Sequence, residues 1–203
     1  PFFYALIQLL IVGLCGIIMT NDAFNLYVLI EITSLTSYAL IAMGNRRAAL
    51  SSFNYVIMGT IGASFYLLGV GYLYIKTGTL NIDDIHTYLE NDNLWTSQSI
   101  IVAFILIMLG VWTKMALFPL HGWLPNAYSY APSMTGTFMA PLMTKVMVYV
   151  MIRVMLWLFG ADFVYSEDVA SAFFKAATKK EWGGKVLNIS SNKSTKIKEI
   201  KKI

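Results

Sequence analysis

Charged side chains are scarce in this chain of 203 residues, since Asp, Glu, Lys and Arg make up only 13% of it. A soluble domain carries about a quarter of its residues as charges. Here 57% of the residues are hydrophobic and the mean hydropathy is +0.62. This balance argues against an ordinary soluble domain and predicts an integral membrane protein that is embedded in the lipid bilayer.

Cysteine is nearly absent, and so are the motifs of metal and cofactor sites. The single Cys15 permits no internal disulfide and suggests no metal site. The sequence has no paired Cys/His ligands, no glycine-rich phosphate loop and no serine nucleophile elbow. We therefore predict no cofactor, no metal and no catalytic residue, which favours a function other than that of an enzyme.

The formal net charge of +4 is carried by the end of the chain. Residues 1–160 contain six basic and six acidic residues, whereas residues 161–203 contain nine lysines and five acids. A basic body would suggest a nucleic-acid partner, but this body is neutral, so no nucleic acid is expected. We divide the chain into a transmembrane domain, 1–160, and a basic polar tail, 161–203, whose composition is typical of poorly ordered segments.

Long apolar runs dominate the first 160 residues. A bilayer-spanning helix needs about 20 mostly apolar residues, and barrel strands would alternate polar and apolar positions, which these runs do not. The sequence therefore predicts an all-α polytopic fold with five transmembrane helices, at about 2–20, 24–43, 53–75, 99–118 and 134–159. The first run lacks the basic start and cleavage site of a signal peptide, so we expect a retained helix.

The loop charges predict how the helices are oriented. Arg46 and Arg47 lie between the second and third runs, and positive loops stay on the cytoplasmic side. Residues 77–98, which follow the third run, include four acids and no Lys or Arg, so this loop should lie outside. Because successive transmembrane helices cross the bilayer in opposite directions, the N-terminus is then expected in the cytoplasm. The lysine-rich tail would leave the fifth helix on the outer side, against the same rule.

Three ionisable residues fall within the apolar runs: Glu31, Lys114 and Lys145. A charge at a helix centre costs about 2.5–3.5 kcal/mol on insertion scales, and such residues usually mark ion or proton paths. Glu31 and Lys145 lie too deep to reach the surface, which favours function over a structural hydrogen bond. Lys114 lies near the end of its run, so its position alone fits a surface-seeking side chain equally well.

Pro119 follows Lys114 by five residues and predicts a break in the fourth helix. Broken helices handle ions near the membrane midplane in transporters. Alternatively, Pro119 simply ends the helix at the interface, with Trp123 as an interfacial aromatic residue. His121 follows the break and has the chemistry of a proton relay, although a lone histidine is more often a packed one.

Several stretches together resemble the proton-conducting membrane transporter family, namely "NDAFNLYVLIEITSLTSYALIAMGNRRAAL", "GVGYLYIKTGTLNI", "WTKMALFPLHGWLPNAYSYAPS" and "LMTKVMVYVMIRV". That family includes antiporter-like subunits of respiratory complex I and the large subunits of Mrp-type sodium/proton antiporters. The resemblance covers residues 1–160, and within the family these stretches are most similar in sequence to the Mrp D-type chain.

The resemblance implies roles for the charged residues. Glu31 would set the protonation of Lys114, which lies in the discontinuous helix broken at Pro119, and Lys145 would pass the proton onward. His121 would lie in the region after the break. The implied function is proton translocation, with Na⁺ as a further candidate ion. The implied partners are other membrane subunits of an antiporter or complex I-like assembly in a bacterial inner membrane.

Two departures from the family pattern qualify these expectations. Asn54 stands where relatives often have lysine, and Asn126 where aspartate is usual. The chain also has one five-helix repeat where the family's inverted-repeat fold has two. We therefore also consider a truncated remnant without transport, or a membrane assembly protein. A third reading is a non-catalytic subunit of an NADH:quinone oxidoreductase.

Overall fold

The computed structural model describes residues 2–44, 47–91 and 97–160. Within these ranges the chain forms seven α-helices: α1 Phe2–Met19, α2 Ala23–Ala42, α3 Ala48–Thr77, α4 Ile82–Asn91, α5 Gln98–Met115, α6 Leu124–Tyr130 and α7 Ser133–Arg153. A π-helical turn, Val154–Leu158, continues α7. The basic tail predicted for 161–203 lies outside the described residues.

Five of these helices are long and apolar enough to cross a membrane, namely α1, α2, α3, α5 and α7 with its π-helical turn. The all-α fold with five transmembrane helices is therefore confirmed. In lipid only helices and closed barrels satisfy their own backbone hydrogen bonds, which is why the apolar runs fold as they do. Many apolar side chains on these helices remain exposed, as expected of a surface that faces lipid or other helices.

With the π-helical turn counted in α7, two helix boundaries differ from the sequence-based ones by three residues or more within the long helices. The third helix begins at Ala48 instead of 53, because Ala48, Ser51 and Ser52 are buried against the bundle and Ser52 Oγ donates a 2.7 Å hydrogen bond to the Tyr38 carbonyl. The fourth helix ends at Met115 instead of 118. Ala116 takes the left-handed conformation, with φ of 59°, and this ends the helix before Pro119 is reached.

The long helices alternate in direction. At one end of the bundle, the turn after α1 pairs with the loop after α3 through a bridge between Asp22 and Asn81. At the other end, Arg47 Nη1 donates to the Tyr130 hydroxyl at 3.2 Å, which joins the start of α3 to α6. The loops therefore fall on alternating sides, as the spans predict.

Helices α3 and α5 pack closely through glycine. A side-chain carbon at Gly110 would lie 2.6 Å from the Gly62 carbonyl oxygen and 2.8 Å from Tyr66 Cβ. Small residues of this kind let membrane helices approach backbone to backbone. This contact holds the end of α5, with Lys114, against the middle of the bundle.

Helix α4 lies in the acidic loop, where the sequence analysis placed no helix. Its first turn carries acidic residues, which suit a helix N-terminus, and the Asn81 side chain accepts a hydrogen bond from the Asp83 amide at 3.0 Å. Its apolar residues Ile82, Ile85 and Leu89 are buried. Their i, i+3, i+7 spacing is the sequence signal of an amphipathic helix.

Candidate functional site

The end of α5 places Lys114 at a helix interruption. Residues 116–123 form turns between α5 and α6, and Pro119 lies among them. The last carbonyl groups of α5 keep hydrogen-bond partners, since Thr113 O accepts from the indole Nε1 of Trp123 at 3.1 Å and Trp112 O from the Leu117 amide at 3.0 Å. Lys114 is thus the penultimate residue of α5, held beside a structured break.

Lys114 pairs with Glu31 inside the bundle. The Lys114 Nζ atom lies 2.7 Å from Glu31 Oε1, and the two side chains are 5% and 20% exposed. Nζ also donates to the Ser34 hydroxyl at 2.7 Å. A buried ion pair is maintained only when close geometry and further hydrogen bonds compensate for lost hydration, and both conditions are met at this site.

Helix α2 presents Glu31 and Ser34 together because they are three residues apart on one helical face. The Ser34 hydroxyl donates to the Ile30 carbonyl at 2.8 Å, so its oxygen is free to accept from Lys114. Buried hydroxyl residues along α2 bond in the same way to carbonyls of the preceding turn, as Thr33 and Ser37 do. These bonds give a polar helix face on which the serine and threonine donors are paired.

An aromatic cluster supports the same site from the side of the break. Tyr55 of α3 stacks on Trp123, with ring centroids 3.9 Å apart and an interplanar angle of 1°. Tyr38 of α2 meets Tyr55 edge-on at 4.6 Å. Because Trp123 also bonds to Thr113, the cluster connects α2, α3 and the interruption to the residue that precedes Lys114.

A small cavity lies beside Lys114. Its volume is about 10 Å³, which is close to the least that holds one water molecule. An ammonium group has three N–H donors, and Glu31 and Ser34 accept two of the bonds from Lys114. The residues lining the cavity include Lys114, Tyr27, Gly62, Ala63, Tyr66 and Gly110.

Lys145 and His121 are not brought to the ion pair. The side chain of Lys145 is exposed on α7, where Nζ donates to the Ala140 carbonyl at 3.0 Å. His121 is exposed in the interruption, and its ring lies 5.6 Å from that of Phe118. The described part of the chain therefore joins Glu31 to Lys114 and leaves Lys145 and His121 on its surface.

Two residues near the pair were missed by sequence reasoning, namely Ser34 and Tyr38. They lie three and seven positions after Glu31, so helical periodicity places all three on one face of α2. This spacing in the sequence is the signal from which both residues could have been predicted. Hydroxyl residues are common in membrane helices, whereas buried charges are rare, so a hydroxyl residue alone does not indicate a functional site.

Comparison with known proteins gives a family match over most of the chain. The family model described as NADH:quinone oxidoreductase/Mrp antiporter, TM, matches residues 20–179. The match thus extends into the segment that the sequence analysis separates as a tail.

Two curated relatives illustrate the breadth of the family. The chain is 52% identical over 153 residues to NADH-quinone oxidoreductase subunit N of Desulforudis audaxviator (strain MP104C), covering 75% of the chain and 30% of the relative. It is 31% identical over 169 residues to the D chain of the Na(+)/H(+) antiporter of Bacillus subtilis (strain 168), covering 83% and 34%. The chain spans about a third of each relative's length. Of these two relatives, the oxidoreductase chain has the higher identity. The similarity of the quoted stretches to the Mrp D-type chain therefore does not decide to which branch of the family this chain belongs.

Solved structures agree with this assignment. One is the membrane-bound sulfane sulfur reductase, an archaeal respiratory membrane complex, with a TM-score of 0.72, 36% identity, and 85% of this chain and 36% of that chain covered. Another is the Mrp complex from Dietzia sp. DQ12-45-1b, with a TM-score of 0.71, 27% identity, and 81% and 31% covered. Family match, identity and fold agree, and this integral membrane chain belongs to the NADH:quinone oxidoreductase/Mrp antiporter transmembrane family.

Proposed function

We propose that the chain translocates protons as a membrane subunit of a multisubunit cation/proton antiporter or a complex I-like assembly. The observation that carries this proposal is the buried Lys114–Glu31 pair beside the helix interruption. An ion pair among membrane helices is costly to keep, and such pairs usually serve ion or proton movement. Membership in the family supports the same function.

The pair offers a simple way to hold and release a proton. The Glu31 carboxylate, 2.7 Å away, stabilises Lys114 as an ammonium. Protonating Glu31, or moving it away, removes that stabilisation, and the ammonium then gives up a proton to the next carrier.

Lys145 and His121 are the proposed later carriers. Each lies on the surface of the described part of the chain. A lysine facing lipid at mid-membrane is unfavourable, so the face of α7 that carries Lys145 calls for a polar neighbour outside the described residues. Because the relatives are about three times as long as the matched region, we propose that further family helices or another membrane protein of the assembly cover this face.

The coupled ion and the location belong to the same proposal. Protons are favoured because Lys114 and Glu31 both exchange them, and Na⁺ enters through the name of the B. subtilis relative. We place the chain in a bacterial inner membrane with its N-terminus and the Arg47 end of α3 in the cytoplasm, in line with the positive-inside rule.

A flux assay tests the proposal. The full chain, Glu31→Gln and Lys114→Ala are reconstituted in proteoliposomes with a trapped pH dye, and a potassium gradient drives proton entry. Lys76→Ala is the matched control, because Lys76 is exposed in the last turn of α3. We expect flux in the wild type and the control and at least a tenfold loss in the two site variants. Equal flux in all four proteins would overturn the assigned roles.

A second candidate function is that of a membrane assembly protein without transport. The exposed Lys145 favours it, since within the described part of the chain this charge donates only to a backbone carbonyl. In that case the wild-type proteoliposomes would show no flux above empty vesicles, while the chain would still bind other membrane subunits.

A further inference from the structure

The hydroxyl group of Tyr38 is buried, and it has no hydrogen-bond partner of good geometry among the described residues. The side chain is 5% exposed, and no atom of the described residues meets the distance and angle of a hydrogen bond to its oxygen. Buried polar groups are nearly always paired, so an unpaired one calls for an explanation. The hydroxyl lies within reach of Ser34, one helical turn earlier.

The position of this hydroxyl is fixed by its neighbours. Helix α3 comes so close that a side-chain carbon at Gly59 would collide with Tyr38 Oη. The edge-on contact with Tyr55 holds the ring from another side. The hydroxyl is therefore held next to Ser34 by packing.

Ser34 is the link between Tyr38 and the ion pair. A serine hydroxyl has one donor and two acceptor positions. Ser34 uses its donor on Ile30 O and one acceptor position on Lys114 Nζ. One acceptor position remains, and Tyr38 is the buried donor within reach of it.

We propose that Tyr38 is a positioning residue that acts through Ser34 and supplies the hydrogen bond that Ser34 loses when Lys114 gives up its proton. This proposal rests on the proposed function. As the proton leaves the ammonium for the next carrier, the amine nitrogen gains a lone pair. Ser34 then turns its O–H from Ile30 O to that nitrogen, and Tyr38 donates to the Ser34 oxygen. The number of hydrogen bonds at the site is conserved through the change.

An infrared measurement tests this exchange without any transport. The C–O stretch of ring-labelled tyrosine distinguishes a phenol that donates a hydrogen bond from one that does not. We would compare the wild type with Glu31→Gln/Lys114→Met, which removes the Lys114 donor and leaves no unpaired charge at the site. The protein is the full chain in nanodiscs.

We expect the double substitution to shift one tyrosine band, and this shift to vanish when Tyr38→Phe or Ser34→Ala is added. Tyr66→Phe is the control: Tyr66 is equally buried, but its hydroxyl already donates to Ala23 O at 3.2 Å. A shift that survives Tyr38→Phe, or no shift at all, would overturn the proposal.

A flux measurement then connects the exchange to transport. Tyr38→Phe and Ser34→Ala should each lower proton flux several-fold, and the two together should be no slower than Ser34→Ala alone, because one residue acts through the other. Additive losses would contradict the link. If the wild type shows no flux, the proposed function fails, while the infrared shift still decides the role of Tyr38.

Discussion

The Lys114 ammonium and the Glu31 carboxylate, 83 positions apart in the chain, meet at 2.7 Å inside the helix bundle. Each charge is tolerated in this environment only because of the other, so the two residues should depend on each other for the stability of the fold. Their separate and joint substitution measures that dependence.

Removing one partner of the pair should be costly. Lys114→Met leaves Glu31 as an uncompensated charge, and breaking a buried pair in this way costs about 3–5 kcal/mol of the free energy of unfolding. Glu31→Gln/Lys114→Met should recover most of that loss, because no unpaired charge remains. Unfolding in mixed detergent micelles, followed by circular dichroism, checks both values. A single variant as stable as the wild type would contradict the ion pair.

The glycine contact between α3 and α5 should be sensitive to a single methyl group. Gly110→Ala would press its new carbon against the Gly62 carbonyl, a backbone atom that cannot turn away. We expect a loss of about 1–3 kcal/mol in the free energy of unfolding. Gly71→Ala in α3 is the control, since nothing lies within 4 Å of the added carbon. Similar unfolding midpoints for the two variants would show that the helices do not approach as described.

Substitution of Lys145 should affect proton flux and the free energy of unfolding differently. Its side chain is exposed and bonds to the carbonyl of Ala140, so Lys145→Ala removes a charge that the membrane disfavours and should not lower the free energy of unfolding. Its proton flux should nevertheless fall at least tenfold if Lys145 is a carrier. Measuring both quantities on one preparation is decisive. Unchanged flux would remove Lys145 from the proposed path.

Tyr128 should give the fold a dependence on alkaline pH. It lies in α6, outside the five long helices, and burial raises the pKa of its hydroxyl to about 12. Between the ordinary value of about 10 and this value, the unfolded chain releases the proton and the folded chain keeps it. Unfolding is therefore favoured, and stability falls, as the pH rises through that window.

The Tyr128→Phe variant tests the sign of this effect. Thermal unfolding of the two proteins at about pH 9 and about pH 11 should show the smaller loss of stability in the variant. Equal losses in the two proteins would mean that Tyr128 titrates alike in the folded and unfolded states.

Periodicity and composition were sufficient for the five long helices and for the unusual character of Glu31, Lys114 and Lys145, because apolar length and a charge within it are local properties of the sequence. They were insufficient for α4. Its apolar residues do follow helical spacing, but a ten-residue helix depends on the surface that it packs against. The end of α5 also differs from the prediction: Pro119 predicts the break, but the left-handed Ala116 ends the helix first.

The sequence by itself thus determined a membrane-embedded helical protein with three costly charges. Only the tertiary structure decided which of those charges meet. Lys114 and Glu31 form a pair because the α3–α5 glycine contact and the break after Met115 place the end of α5 where the long side chain of Lys114 reaches Glu31, and no local pattern encodes a contact across 83 positions. Lys145, equally unusual in the sequence, lies apart, because the face of α7 that packs into the bundle is the one with buried methionines and not the one with the lysine.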